Sequence, residues 1–185
     1  MPVQIGVKAH GFKEPLELLS DCHRRIEMFL GILEAIAKCV DRAPSEEARR
    51  ALDSALRYFR EAAPKHTADE EQSLFPRLRR VRSASIEHAL SKIDELEREH
   101  LWAETLHKEV DALGRRYLSR GKLSSDDAGR FQQHVASLSG MYERHISIED
   151  RDLFPVAKEA LPQADKLAIA EEMENRRTGS PARKA

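Results

Sequence analysis

The chain has 185 residues with a formal net charge of −1; 34% of them are charged, only 5% are aromatic, and Gly and Pro number eight each. That composition suits long amphipathic helices with solvated outer faces and argues against an all-β fold. The near-neutral charge gives no field that would draw nucleic acid, and no apolar run approaches the roughly 20 residues of a membrane span.

In chain order, residues 1–13 carry Pro2, Gly6 and Gly11 and read as a flexible arm without the basic and apolar segments of a signal peptide. Pro15 suits a first helical position. From there Leu16, Leu19, His23, Ile26, Leu30, Leu33, Ala37 and Val40 recur at steps of three and four, which is one helix face. Asp41 to Pro44 is a turn, and Ser45 can cap a second helix. The stripe of that helix is Leu52, Leu56, Phe59, Ala63, His66, Glu70 and Leu74, with Pro64 expected to kink or restart it and Pro76 to end it. A third helix is expected from Ser85, with Ile86, Leu90, Ile93, Glu97, His100, Glu104, His107 and Val110 or Asp111 on one side, and Gly121 as its stop. Leu123 to Asp127 ("LSSDD") joins a hydroxyl cap to acids that favour a helix start. The fourth stripe is Phe131, Val135, Leu138, Tyr142, His145, Glu149 and Asp152. Pro155 and Pro162 bracket a short segment, residues 163–177 form a last, shorter helix, and residues 178–185 are a disordered tail. Short links make neighbouring helices antiparallel. The expectation is therefore all-α: an up-down-up-down four-helix bundle with a short additional C-terminal helix, one domain over residues 14–177.

Two stretches stand out. "HTADEEQSLFP" (66–76) and "HISIEDRDLFP" (145–155) align without a gap, each with Glu four residues after His and then Leu-Phe-Pro. A step of four advances about 6 Å and turns about 40°, so His and Glu share one helix face. His23 lies about 18 residues before the first turn and His66 about 21 after it, which sets them level on antiparallel helices. His100 and His145 are level by the same count. One histidine on an apolar stripe reads as a hydrogen-bonded core residue. Four in one layer with two glutamates need a compensating charge, because unpartnered buried carboxylates cost many kcal/mol. A dinuclear metal centre supplies that charge. Two six-coordinate ions offer about twelve positions; four imidazoles, two bridging carboxylates and a shared oxo or hydroxo group leave about one open on each metal. Glu27 and Glu104, each four after a histidine, and Tyr142 are candidates for groups behind the ligands. Cys22 turns about 100° away from His23 and reads as packing. Cys22 and Cys39 form no CxxC motif or disulfide framework, which suits a reduced, cytoplasmic protein. Leu-Phe is expected to seal that end of the bundle against water.

These residues resemble the hemerythrin-type HHE cation-binding domain family over about Pro15 to Arg177. The resemblance rests on His23 in "SDCHRRIE", His66 and Glu70, His100 in "EREHLWAE", and His145 and Glu149, with "EEMENRR" similar to the family's closing helix. It implies a centre of two Fe ions that binds or reacts with O2, NO or peroxide, in oxidative or nitrosative stress or iron homeostasis. His23, His66, His100 and His145 would be terminal ligands, and Glu70 and Glu149 bridges. Oxygen carriers of the family have a second histidine where this chain has Glu104, and an aspartate where it has Glu149. The four-His, two-Glu set is closer to bacterial di-iron proteins that repair iron–sulfur clusters. Manganese or a mixed centre suits the same ligands. Two other readings stand beside this one: a sensor acting through a partner protein, and a di-iron enzyme. A histidine phosphotransfer bundle leaves both HxxxE repeats unexplained. No catalytic residue is assigned.

Overall fold

The computed structural model describes residues 11–81 and 84–179; of residues 84 and 85 it describes the backbone alone. Most of the expected arm, the side chain of Ser85 and residues 180–185 of the expected tail lie outside the described residues. The described helices are α1 (Pro15–Ala37), α2 (Glu46–Glu61), α3 (Ala63–Asp69), α4 (Phe75–Leu78), α5 (Ala84–Arg120), α6 (Ser125–Ile148), α7 (Phe154–Ala160) and α8 (Gln163–Thr178). Two π-turns, Glu70–Leu74 and Glu149–Leu153, join α3 to α4 and α6 to α7. There is no strand among the described residues.

Local chemistry sets most of these boundaries. Ser45 Oγ accepts from the Ala48 amide at 3.1 Å and Ser124 Oγ from the Asp127 amide at 3.2 Å, each satisfying a free amide of a first turn. Gly121 at φ 77° stops α5, where a side chain would be strained. Gly179 at φ 72° caps α8, so Thr178, expected in the tail, is the last helical residue. Pro64 falls in the first turn of α3 and restarts the helix rather than kinking it. Pro76 was expected to end its helix. Instead Pro76 lies in the first turn of α4, which runs on to Leu78, and Pro155 takes the same place in α7. The π-turn ahead of each proline absorbs the missing amide and the steric clash.

α1 packs on α2 and α6, and α5 packs on the same two, which closes an up-down-up-down square. α8 lies across α3, the first π-turn and α1. The core forms two apolar clusters. One, around Leu33, Leu52, Leu56, Tyr117 and Phe131, fills the end near the α1–α2 turn. The other, around Leu19, Phe75, Leu78, Ile93 and Leu153, fills the opposite end. Each fully buried large side chain contributes about 1.5–3 kcal/mol. The stripe of α1 is buried as expected. That of α5 is offset: Leu96 and Ala103 face the core, while Glu97 and Glu104 do not. Three steps forward and four back from His100 keep to the core side, whereas the opposite choice turns outward.

Candidate metal centre

Between the two apolar clusters lies a polar layer. His23 comes from α1, His66 from α3, His100 from α5 and His145 from α6, while Glu70 and Glu149 are the first residues of the two π-turns. All six are buried, His23, Glu70 and Glu149 at 0% exposure. In each π-turn the amide five residues on, from Phe75 or Phe154, donates to the glutamate carbonyl.

The layer divides into two halves, one per helical hairpin. His23 and His66 are edge to face, ring centroids 4.8 Å apart. His100 and His145 approach Nε2 to Nε2 at 3.1 Å. Glu70 spans the halves: its Oε1 lies 3.2 Å from His66 Nε2 and its Oε2 3.5 Å from His100 Nε2. Glu149 Oε2 lies 3.1 Å from His23 Nε2 and 3.3 Å from His145 Nε2. One donor atom each from His23, His66, Glu70 and Glu149 falls within a 4.8 Å sphere of mutual distances, as do those from His100, His145 and Glu149. All six predicted ligands are thus brought together.

Other acids hold the histidines from behind. Asp150 Oδ1 bonds His23 Nδ1 at 2.9 Å and accepts from Ser20 at 2.8 Å, with Arg24 on its second oxygen. Glu71 Oε1 bonds His100 Nδ1 at 2.9 Å. Glu99 Oε2 bonds His145 Nδ1 at 2.9 Å and is paired with Arg144. Such contacts fix the tautomer and aim Nε2 inward. Glu27 and Glu104, expected in this role, are on the surface, 46% and 61% exposed and paired with Arg24 and Lys108. A step of four from a histidine at the edge of its stripe turns the acid to solvent. The signal that would have found the right acids is their adjacency: Glu71 and Asp150 each follow the glutamate of a repeat, and Glu99 precedes His100. Tyr142 is buried with its ring 6.2 Å from that of His145, and its hydroxyl bonds His107 Nε2 at 3.1 Å.

Charge is shared unevenly without a metal. Burial pulls His23 down, but the hydrogen bond to Asp150 and the close Glu149 and Glu70 carboxylates outweigh it and leave the imidazole well above its ordinary 6.5. Burial also opposes charge on His145, and the Glu149 carboxylate overcomes it, again raising the pKa. Burial and the His23 charge push His66 well below 6.5. Glu149 is held well below the usual carboxylate range because His145 and His23 outweigh its burial. Burial and the neighbouring Glu149 charge lift Glu70 to about 7.

Both oxygens of Glu70, both of Glu149 and His23 Nε2 are buried with no hydrogen-bond partner among the described residues. Imidazole nitrogens and carboxylate oxygens left so, facing one another, fit a pair of metal ions. A cavity of about 510 Å³ reaches this layer from the side. Leu56, Phe59 and Val110 give it apolar walls, Lys108 lines it as well, and it extends to His100 and Tyr142.

An up-down helical bundle whose core is interrupted by four buried histidines and two buried glutamates defines a metal-binding bundle protein. The model of the hemerythrin HHE cation binding domain family matches residues 14–157, and the chain belongs to that family. It is also 30% identical, over 169 residues, to an uncharacterized protein of Haemophilus influenzae, covering 90% of this chain and 91% of the relative. No helix among the described residues is long and apolar enough to cross a membrane.

Proposed function

We propose that the chain is a non-haem di-iron protein whose centre binds or reacts with O2, NO or peroxide, in oxidative or nitrosative stress or iron homeostasis. His23 and His66 would hold one ion and His100 and His145 the other, with Glu70 and Glu149 as carboxylate ligands between them. The observation that carries this reading is the pair of wholly buried carboxylates, unpartnered on all four oxygens and set between two histidine pairs. Bound iron supplies open coordination positions and electrons for a small oxidant. The chain's own residues do the rest. Asp150, Glu71 and Glu99 orient the imidazoles. Phe154 stacks on His23 at 5.4 Å and Phe75 lies parallel to His100 at 6.4 Å, each covering one face of the ring. The cavity at His100 is far larger than the roughly 30 Å³ share of a single water, so a small ligand reaches that side with solvent around it. Free Cys22 and Cys39 support a cytoplasmic, reducing location.

The test is anaerobic purification, a metal count, and visible spectra on adding oxygen, peroxide or nitric oxide. About two irons per chain, with bands that change on ligand addition, are expected. A metal-free, fully folded protein sinks the proposal. Alanine at Glu70 or Glu149 removes iron, while alanine at His134, about 16 Å from His145 along α6, leaves it. Turnover with peroxide or nitric oxide then separates an enzyme from a sensor that works through a partner.

A further inference from the structure

The two repeats give the centre an internal two-fold relation. Adding 79 carries His66, Glu70 and Glu71 onto His145, Glu149 and Asp150, and adding 77 carries His23 onto His100. The hydrogen bonds behind the ligands obey it. Glu71, from the first repeat, holds His100 in the second hairpin, and Asp150, from the second repeat, holds His23 in the first. These two contacts are equivalent and have the same length, 2.9 Å.

The relation fails at one place. His145 is held by Glu99, the residue before His100. The counterpart of His145 is His66, and the counterpart of Glu99 is Cys22, the residue before His23. Cys22 carries no carboxylate, and His66 Nδ1 is buried without a hydrogen-bond partner among the described residues. A histidine that binds metal through Nε2 carries its proton on Nδ1, so His66 then keeps a buried donor with nothing to receive it. The acid behind a ligating imidazole raises its basicity and fixes its direction, and its loss costs 10–100-fold in metal affinity. The His100/His145 half has two such acids; the His23/His66 half has one.

We propose that the two metal positions are unequal: the ion between His100 and His145 is the tightly held one, and the ion between His23 and His66 is weaker and exchangeable. Position 22 sets the difference. This rests on the dinuclear reading above. It adds that a half-loaded protein is a stable species, and that its ion sits on the side where the cavity reaches His100.

The test is titration of the metal-free protein with Mn2+ alone, followed by calorimetry and by the electron paramagnetic resonance signal of free Mn2+. Two binding steps separated by at least about tenfold are expected. Glu99→Gln weakens the tight step roughly 10–100-fold and brings the two together. His66→Ala abolishes the weak step and leaves the tight one. Cys22→Glu, the residue the second half carries at this place, strengthens the weak step, and Cys22→Ala changes neither. Thermal melts of the metal-free variants confirm that each is folded. Two equal steps overturn the inference while leaving the dinuclear reading intact, as does a Glu99→Gln variant whose tight step is unchanged. Failure to bind either Mn2+ or, anaerobically, Fe2+ overturns both.

Discussion

Asp69 stands one residue before Glu70 and is wholly buried, yet it takes no part in the metal layer. Its Oδ1 accepts from Arg176 at 2.8 Å and its Oδ2 from Arg177 at 2.6 Å, which ties the end of α3 to the last turn of α8. Asp69→Ala removes the anion and leaves two guanidinium groups beside a cavity. Breaking a buried ion pair by deleting one partner costs about 3–5 kcal/mol. Here the lower end applies, about 3 kcal/mol, because Arg176 and Arg177 are 20% and 25% exposed and can turn toward water. Arg176 also keeps Ser73 Oγ, and Arg177 the Met173 carbonyl. For a chain of this size that loss corresponds to a fall in Tm of about 6–12 °C. Thermal unfolding of the metal-free protein, followed by circular dichroism, reads the shift directly. Limited proteolysis should show cleavage in the last turn of α8 before the bundle melts, since the clamp holds that end while the Arg77–Glu172 pair and apolar residues such as Ile169 and Met173 dock the rest of the helix. The Asp69→Ala, Arg177→Ala double variant should lose less than the sum of the single losses. A fall of under 2 °C in Asp69→Ala, with α8 still protected, would refute the reasoning.

His107 is half-buried at the wall of the cavity, and the loss of solvent around its ring lowers it to about 4. Between pH 6.5 and 4 the unfolded chain binds a proton that the folded chain refuses, so stability falls as pH falls through that window. The full span is worth about 3 kcal/mol, and His107→Phe should flatten that limb of a urea midpoint against pH. Gly31 in α1 and Gly140 in α6 have open space where a Cβ would stand. Gly31→Ala and Gly140→Ala should each stabilise the chain by roughly 0.5–1 kcal/mol, additively, in chemical denaturation. Metal uptake should release protons, because the surroundings of His23 and His145 favour their charged forms and both ligate only when neutral. Affinity for Mn2+ therefore rises with pH, and calorimetry in buffers of different ionisation enthalpy measures the protons released.

Much of this molecule is legible in the sequence because a bundle makes few demands. A stripe such as Leu16 to Val40 needs only the helical period to be read, and level-matching across a turn needs only the rise per residue. That is enough to bring four histidines from four helices into one layer. What was not legible depends on azimuth and on contacts between hairpins. His100 sits at the edge of its stripe, so the period alone does not decide between Ala103 and Glu104 as the next inward residue. The acids behind the ligands escaped for the same reason. Glu71 and Asp150 look like ordinary surface charges until the two hairpins are set together, since each serves a histidine of the other one. The Asp69 clamp joins residues more than 100 apart, and no periodicity marks it.

The repeated Leu-Phe-Pro acquires a physical meaning from the π-turns. In a continuous α-helix, five residues turn through about 500°, so Phe75 would point roughly 140° away from Glu70. Pro76 has no amide to give, and its ring would press on the carbonyl four residues back. Widening the turn by one residue relieves that clash, and it does so at Glu70 because the proline lies six residues later. The same widening carries Phe75 round toward the face that Glu70 occupies, where it is fully buried and parallel to the His100 ring. The second repeat does the same with Phe154 over His23. Each proline thereby places an aromatic lid from one hairpin over a histidine of the other. In each repeat the buried glutamate, the acid behind the opposite histidine and the aromatic ring over that histidine lie within six consecutive residues, so moving the proline by one position would disturb all three together.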